Sequence, residues 1–278
     1  MRTETITVII PCFNEEEALP VYYQAMQPVM KQMENIDFEL LFIDDGSTDH
    51  TLLEMKALHQ KDPRCKYFSF SRNFGKEAAI YAGLSNASGD YVAVMDVDLQ
   101  DPPSLLPKMY KILLEEEYDS VATRRSDRAG EPKLRSFLSE TFYKIINRIS
   151  KTEIVCGARD FRLMKRKMVD AVLKMSEYNR FSKGIFEWVG FRTKWLEYEN
   201  IERSAGETKW SLRKLFVYSM EGITGFSVAP LSLASVLGLL FCLVSFVMII
   251  VIIVRTLIWE DPVSGWPSLA CIIFMVSG

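Results

Sequence analysis

Ile43-Asp44-Asp45-Gly46-Ser47-Thr48-Asp49 and Met95-Asp96-Val97-Asp98-Leu99-Gln100-Asp101-Pro102-Pro103 are two acidic turns, and each directly follows a short apolar run that reads as a buried strand. In open α/β sheets ligands bind beyond the carboxyl ends of the strands, so both clusters are expected to face one crevice. Asp96 and Asp98, a carboxylate pair separated by one residue, can hold a hard cation that keeps its remaining coordination for water and substrate phosphates. Pro102 and Pro103 force extended backbone before them, which stops the strand and holds the acidic side chains at its tip. Asp49 or Ser47 would serve simply as a helix cap, whereas Asp44 and Asp45 are costly to cluster unless a base, a ribose or a metal uses them.

Working outward, apolar runs rich in β-branched and aromatic residues recur at Thr5–Ile10, Phe38–Ile43, Lys66–Phe70 and Tyr91–Met95. Between them lie segments of helical periodicity such as Glu16–Met33 and Thr51–Gln60. Strands alternating with helices imply a mostly parallel sheet in an α/β domain. Ser120–Thr123, Phe161–Met164 and Thr193–Tyr198 are later strand candidates, with helices near Leu134–Ile149 and Lys165–Met175. Arg124–Lys133 is charged, carries Gly130 and Pro132, and reads as a mobile loop beside the crevice. The helix after it and the segment Trp210–Phe226 each present one broad apolar face, which suits either a core or a membrane interface.

The chain has 278 residues, 49% apolar and 25% charged, enough for one α/β domain and a further part. From Gly222 to Val254 no charged residue appears. About 20 apolar residues cross a bilayer, so Val228–Val254 is expected to be a transmembrane helix. A second apolar stretch begins after Trp266 and is still running at Gly278, as if the sequence stopped inside a membrane hairpin. The expected organisation is a catalytic domain over 1–202, a juxtamembrane amphipathic segment over 203–227, a first span over 228–254, an extracytoplasmic loop over 255–266 and the start of a second span over 267–278. Arg203, Lys209, Arg213 and Lys214 precede the first span and only Arg255 follows it, which places the N-terminal domain in the cytoplasm. Thr5–Ile10 is too short for the apolar region of a signal peptide. The five cysteines are scattered without metal-binding spacing and read as reduced packing residues. A net charge of −3 argues against a nucleic-acid partner.

Two further turns carry chemistry. Pro11-Cys12-Phe13-Asn14-Glu15-Glu16 hands a strand to a helix whose backbone N–H groups can face a ligand, or else Asn14 is an ordinary helix cap. Ser71-Arg72-Asn73-Phe74-Gly75-Lys76 puts two cations at a helix head, where the macrodipole favours anions. Such cations suggest a phosphate or an acidic partner. Neither GxGxxG nor GxxxxGK[ST] occurs, which disfavours dehydrogenase and NTPase readings.

In order along the chain, PCFNEE, DDGSTD, SRNFGKEAA, MDVDLQDPP, GARDFRLM and RSAGETKWS, followed by a membrane hairpin, resemble the family-2 glycosyltransferases of the GT-A fold. The likeness is strongest to polyprenyl-phosphate glycosyltransferases of the bacterial bactoprenol-glucosyltransferase type, relatives of the dolichyl-phosphate mannose synthases. The resemblance implies that Pro11, Asn14 and Glu15 line the nucleoside pocket and that Asp44 and Asp45 contact the uracil and ribose. It implies that Asp96 and Asp98 bind the sugar nucleotide and a divalent metal, Mg²⁺ or Mn²⁺, with Gln100 and Lys76 also on the donor. Asp160 matches the family's catalytic base, alongside Asp98, and Arg124, Arg203 and Lys209 match basic positions that engage the acceptor phosphate or the donor diphosphate.

The expected reaction is inverting transfer of one hexose, glucose first, from a UDP-sugar to undecaprenyl phosphate at the cytoplasmic face of a bacterial plasma membrane. UDP-N-acetylglucosamine and GDP-mannose are alternative donors, and similar proteins form tetramers. A processive polysaccharide synthase would carry QxxRW, and no glutamine here begins that motif. A silent, membrane-tethered nucleotide-sugar binder is disfavoured by the presence of Asp96, Asp98 and Asp160. A phosphate monoester has a second pKa near 6, so the acceptor is already ionised at neutral pH. Asp160 is then as well suited to orienting the acceptor, or to balancing charge at the anomeric centre, as to acting as a base. In a plain structural role it would pair with Arg159 or Arg162. Lys209 and Arg203 would equally serve as anchors to anionic lipid.

Overall fold

The computed structural model describes residues 3–125, 141, 144, 146–150, 155, 157–198, 220, 222–259 and 265–277. Most of the charged loop and of the helix expected near 134–149 lies outside the described residues, as do Arg203, Lys209 and most of the 210–226 segment. The chain divides into two compact units, 1–226 and 227–278.

The first unit is built on strands β1 (Glu4–Cys12), β2 (Ile36–Asp44), β3 (Cys65–Ser69), β4 (Tyr91–Val94), β5 (Ser120–Arg125), β6 (Ala158–Lys165) and β7 (Thr193–Tyr198). They form one sheet in the order β3-β2-β1-β4-β6-β5-β7. β1 pairs in parallel with both β2 and β4, and β2 with β3. β6 runs antiparallel to both its neighbours. The order reverses between β1 and β4, since β2 and β3 build outward on one side and β4 starts the other. That reversal opens a crevice beyond the carboxyl ends of β1 and β4.

Alternation along β1 feeds two cores. Ile6, Val8 and Ile10 point to one face, with helices α1 (Ala18–Gln32) and α4 (Leu106–Glu115). Ile9 points to the other, with Leu41, Ile43, Val92 and Val94 under α3 (Lys76–Asn86) and the helices Arg166–Leu173 and Ser182–Trp188. Helix α2 (Thr51–Lys61) joins β2 to β3. In α4 the buried residues Leu106, Met109, Ile112 and Leu113 recur at helical spacing. Gly83 of α3 lies so close to β1 that a Cβ there would come within 2.2 Å of Ile9 Cγ2.

The second unit contains the 31-residue helix Ala229–Trp259, which is predominantly apolar and largely exposed. It is long and apolar enough to cross a membrane, and it extends past the expected end at Val254 through Trp259. The second apolar stretch forms the shorter helix Trp266–Ser277.

Candidate active site

The turns after β1, β2 and β3 are fastened to one another. Asn14 stands at φ 54°, a left-handed conformation for a residue with a side chain. Its N–H donates to Ser47 Oγ at 2.9 Å, and its Oδ1 accepts from the Thr48 N–H at 2.8 Å. The Glu15 N–H donates to Thr51 Oγ1 at 2.7 Å. Asn14 is therefore not the helix cap: α1 begins at Ala18 with Glu17 in the cap position. Pro11, Asn14 and Glu15 are partly exposed and line the tip of β1.

Asp44 and Asp45 are buried to 1% and 4% exposure, and their carboxylates have partners within the chain. Asp44 accepts from the Ser47 N–H and from Ser69 Oγ, at 2.9 and 2.7 Å. Asp45 accepts from Asn73 Nδ2 and from the N–H groups of Phe74 and Gly75. Burial raises the pKa of Asp45, while the backbone donors of Phe74 and Gly75 oppose the rise. Asp45 thus shapes the turn that ends at Gly75, φ 97°, and delivers Lys76 at the first position of α3.

Lys76 joins the two halves of the site. Its Nζ lies 2.6 Å from Asp96 Oδ1, at the tip of β4, and 2.5 Å from Asp160 Oδ2, on β6. Burial by itself would lower the lysine pKa, but Asp160 and Asp96 override it and hold the ammonium above its ordinary value. Asp160 responds in the opposite sense. Burial opposes its ionisation, yet Lys76, then Lys183 and Arg159, keep the carboxyl well below the usual carboxylate range. Lys183 is held nearby by donating from Nζ to the Ala158 carbonyl at 2.9 Å.

The partners expected for Asp160 in a purely structural role are corrected here. Arg159 points to the other face of β6, where Nε meets Asp101 Oδ1 at 3.1 Å and Nη2 meets Gln100 Oε1 at 3.0 Å. Arg162 is buried with its guanidinium 3.9 Å over the Phe186 ring, and burial pushes its pKa down to about 10. Asp98 Oδ1 accepts from the Gln100 N–H at 3.2 Å, across Leu99 at φ 56°. Left-handed non-glycine residues thus stand at the tips of both β1 and β4, flanking the crevice, as strained positions at functional sites often do. Arg124 meets Glu197 on β7, with Nη2 to Oε1 at 2.5 Å.

Sequence reasoning gave no site role to Arg159, Lys183, Asp101 or Tyr198. Asp101 is fully buried between Arg159 and the Tyr198 hydroxyl, which donates to it. The charged run Gly157-Ala158-Arg159-Asp160 held a signal for Arg159, whereas nothing local marks Lys183. Among the described residues no three or more His, Cys, Asp or Glu side chains cluster as a metal cage. Two carboxylates at a strand tip nevertheless fit a hard cation that takes its other ligands from water and phosphate oxygens.

A doubly wound sheet with acidic strand tips at its switch point defines an α/β protein with a crevice where such folds bind their ligands. Residues 7–173 match the family model described as glycosyl transferase family 2. The chain is 40% identical over 273 residues to a prophage bactoprenol glucosyl transferase homolog of Escherichia coli (strain K12), covering 98% of this chain and 89% of the relative. It is 41% identical over 273 residues to the bactoprenol glucosyl transferase of Shigella phage SfV, covering 98% and 88%. In fold it is similar to glucosyl-3-phosphoglycerate synthase from Mycobacterium tuberculosis, solved with Mn²⁺, UDP-glucose and phosphoglyceric acid. The TM-score is 0.53 at 20% identity, over 79% of this chain and 77% of that one. The chain belongs to glycosyltransferase family 2, and it is a glycosyltransferase.

Proposed function

We propose that the enzyme transfers glucose from UDP-glucose to a polyprenyl phosphate, undecaprenyl phosphate in a bacterial cell, at the cytoplasmic face of the plasma membrane. The observation that carries this reading is the Asp96–Lys76–Asp160 chain of ion pairs. It links the strand-tip carboxylate Asp96 to Asp160, whose pKa is held below the usual carboxylate range, in a chain 40% identical to a prophage bactoprenol glucosyl transferase homolog.

In the reaction, an ionised oxygen of the acceptor phosphate attacks the anomeric carbon from the face opposite UDP. The bond from that carbon to the UDP oxygen breaks, its electron pair leaves with UDP, and the configuration inverts. Asp96 and Asp98 would hold a divalent cation, Mg²⁺ or Mn²⁺, which supplies charge neutralisation to the departing diphosphate. Pro11, Asn14 and Glu15 would flank the nucleoside. Asp44 and Asp45 act by fixing the turns around it, with Gln100 and Lys76 toward the diphosphate. Asp160 orients the acceptor and balances positive charge at the anomeric carbon. A carboxylate held so far below the usual range is a weak base, and the acceptor needs little deprotonation. Arg124, Arg203 and Lys209 would engage phosphate groups, Arg124 leaving Glu197 to do so. The helix Ala229–Trp259 would be a first span and the helix Trp266–Ser277 the beginning of a second, in a multi-pass, tetrameric enzyme.

The test is to incubate the purified full chain, in detergent or vesicles, with undecaprenyl phosphate and a panel of radiolabelled UDP- and GDP-sugars. Label should pass to the lipid from UDP-glucose in preference to UDP-N-acetylglucosamine or GDP-mannose. Preference for another donor overturns the sugar assignment.

A further inference from the structure

Lys76 occupies a place at odds with a simple donor-binding role. It sits at the first position of α3, where the helix dipole disfavours a cation. The two carboxylates compensate. The ammonium lies 2.6 Å from the very Asp96 oxygen that a metal ion would compete for, and 2.5 Å from Asp160. Its side chain remains 31% exposed, so it is within reach of solvent and of an incoming diphosphate.

Resting on the metal and donor reading above, we infer that Lys76 is an internal stand-in cation. Without substrate its ammonium satisfies Asp96 and ties it to Asp160. When a divalent ion arrives with the nucleoside diphosphate, Lys76 is displaced from Asp96 and turns to the diphosphate oxygens. Two positive charges cannot share Asp96 without repulsion, whereas a diphosphate offers the released ammonium a new partner. Asp160 keeps its ionised state through the exchange, because Lys183 and Arg159 also act on it. The consequence is ordered loading: metal binds weakly alone and well only with the nucleotide.

The inference gives opposite signs in two arms of one experiment on the full-length protein, with Mn²⁺ binding read by electron paramagnetic resonance. Without nucleotide, Lys76→Met and Lys76→Gln should tighten Mn²⁺ binding, by on the order of tenfold, inside the usual range for coupled ligands. With saturating UDP, the same variants should bind Mn²⁺ more weakly than wild type. Lys76→Arg, which keeps the charge, should track wild type in both arms. Either neutral variant with a native melting curve decides the matter. Unchanged or weaker Mn²⁺ binding without UDP overturns the inference. If wild type with UDP binds Mn²⁺ no better than Asp98→Ala does, the metal reading beneath it fails as well, so the two failures are told apart.

Discussion

At the scale of single residues, the site divides into buried carboxylates and accessible ones. Asp44 and Asp45 are buried on internal donors, whereas Asp96 and Asp98 are partly exposed at the strand tip. Asp96→Ala and Asp98→Ala should each abolish transfer and weaken metal-dependent UDP binding, because each variant leaves the cation with one of its two protein carboxylates. Calorimetric titration of UDP with and without Mn²⁺ checks this, and wild-type binding in either variant contradicts it. The acceptor phosphate, and not Asp160, sets the pH dependence. The folded-state pKa of Asp160 is depressed, so it stays ionised from about pH 5 upward and contributes no limb between roughly pH 5 and 9. The acidic limb should follow the acceptor phosphate near pH 6. Asp160→Asn should keep that limb on a lower plateau. A general base would instead cost on the order of 10²–10⁴ in rate and take its own limb with it.

At the scale of elements, close packing of α3 on β1 positions Lys76, and Gly83 permits it. Gly83→Ala gains about 1 kcal/mol of helix propensity. A methyl built 2.2 Å from Ile9 Cγ2, in the middle of the sheet, costs about 1–3 kcal/mol of overpacking. The balance should be a lower Tm, with activity falling as α3 lifts; an unchanged or higher Tm would show that the helix shifts freely. The α2–β3 turn is fixed differently. Asp62 accepts from Arg64 Nε and Nη2 and from the Tyr23 hydroxyl, and chiefly the Arg64 bond lowers its pKa to about 2. A depressed folded pKa stabilises above the unfolded value near 3.9, and the stabilisation is lost as pH falls toward about 2. Asp62→Asn should therefore lower Tm by a constant amount above about pH 5 and by less at each step toward pH 2. Parallel melting curves at all pH values would contradict the assignment.

Across the whole molecule, the strands were readable because each is a short β-branched run closed by a turn, and all seven strand candidates appear within a few residues of their expected bounds. The strand tips were equally readable, since acidic residues behind apolar runs have few other uses. What local pattern could not supply was direction and neighbourhood. β6 enters between β4 and β5 antiparallel to both, and only that register sets Asp160 opposite the head of α3. Alternation on β6 then sends Arg159 to Asp101 and leaves Asp160 to Lys76, 84 residues earlier. The Ser182–Trp188 helix escaped notice because seven residues carry too little periodicity, whereas the helical spacing of Leu106, Met109, Ile112 and Leu113 in α4 was a signal left unread.

The central proposal is that this crevice performs metal-dependent glucosyl transfer to a polyprenyl phosphate. The measurement that tests it most directly is the initial rate at which radiolabelled glucose passes from UDP-glucose to undecaprenyl phosphate, with the full chain in vesicles, before and after chelation by EDTA. The predicted result is transfer that disappears in EDTA, returns with Mg²⁺ or Mn²⁺, and is absent from Asp98→Ala under every condition. Undiminished transfer in excess EDTA, or in Asp98→Ala, would contradict it.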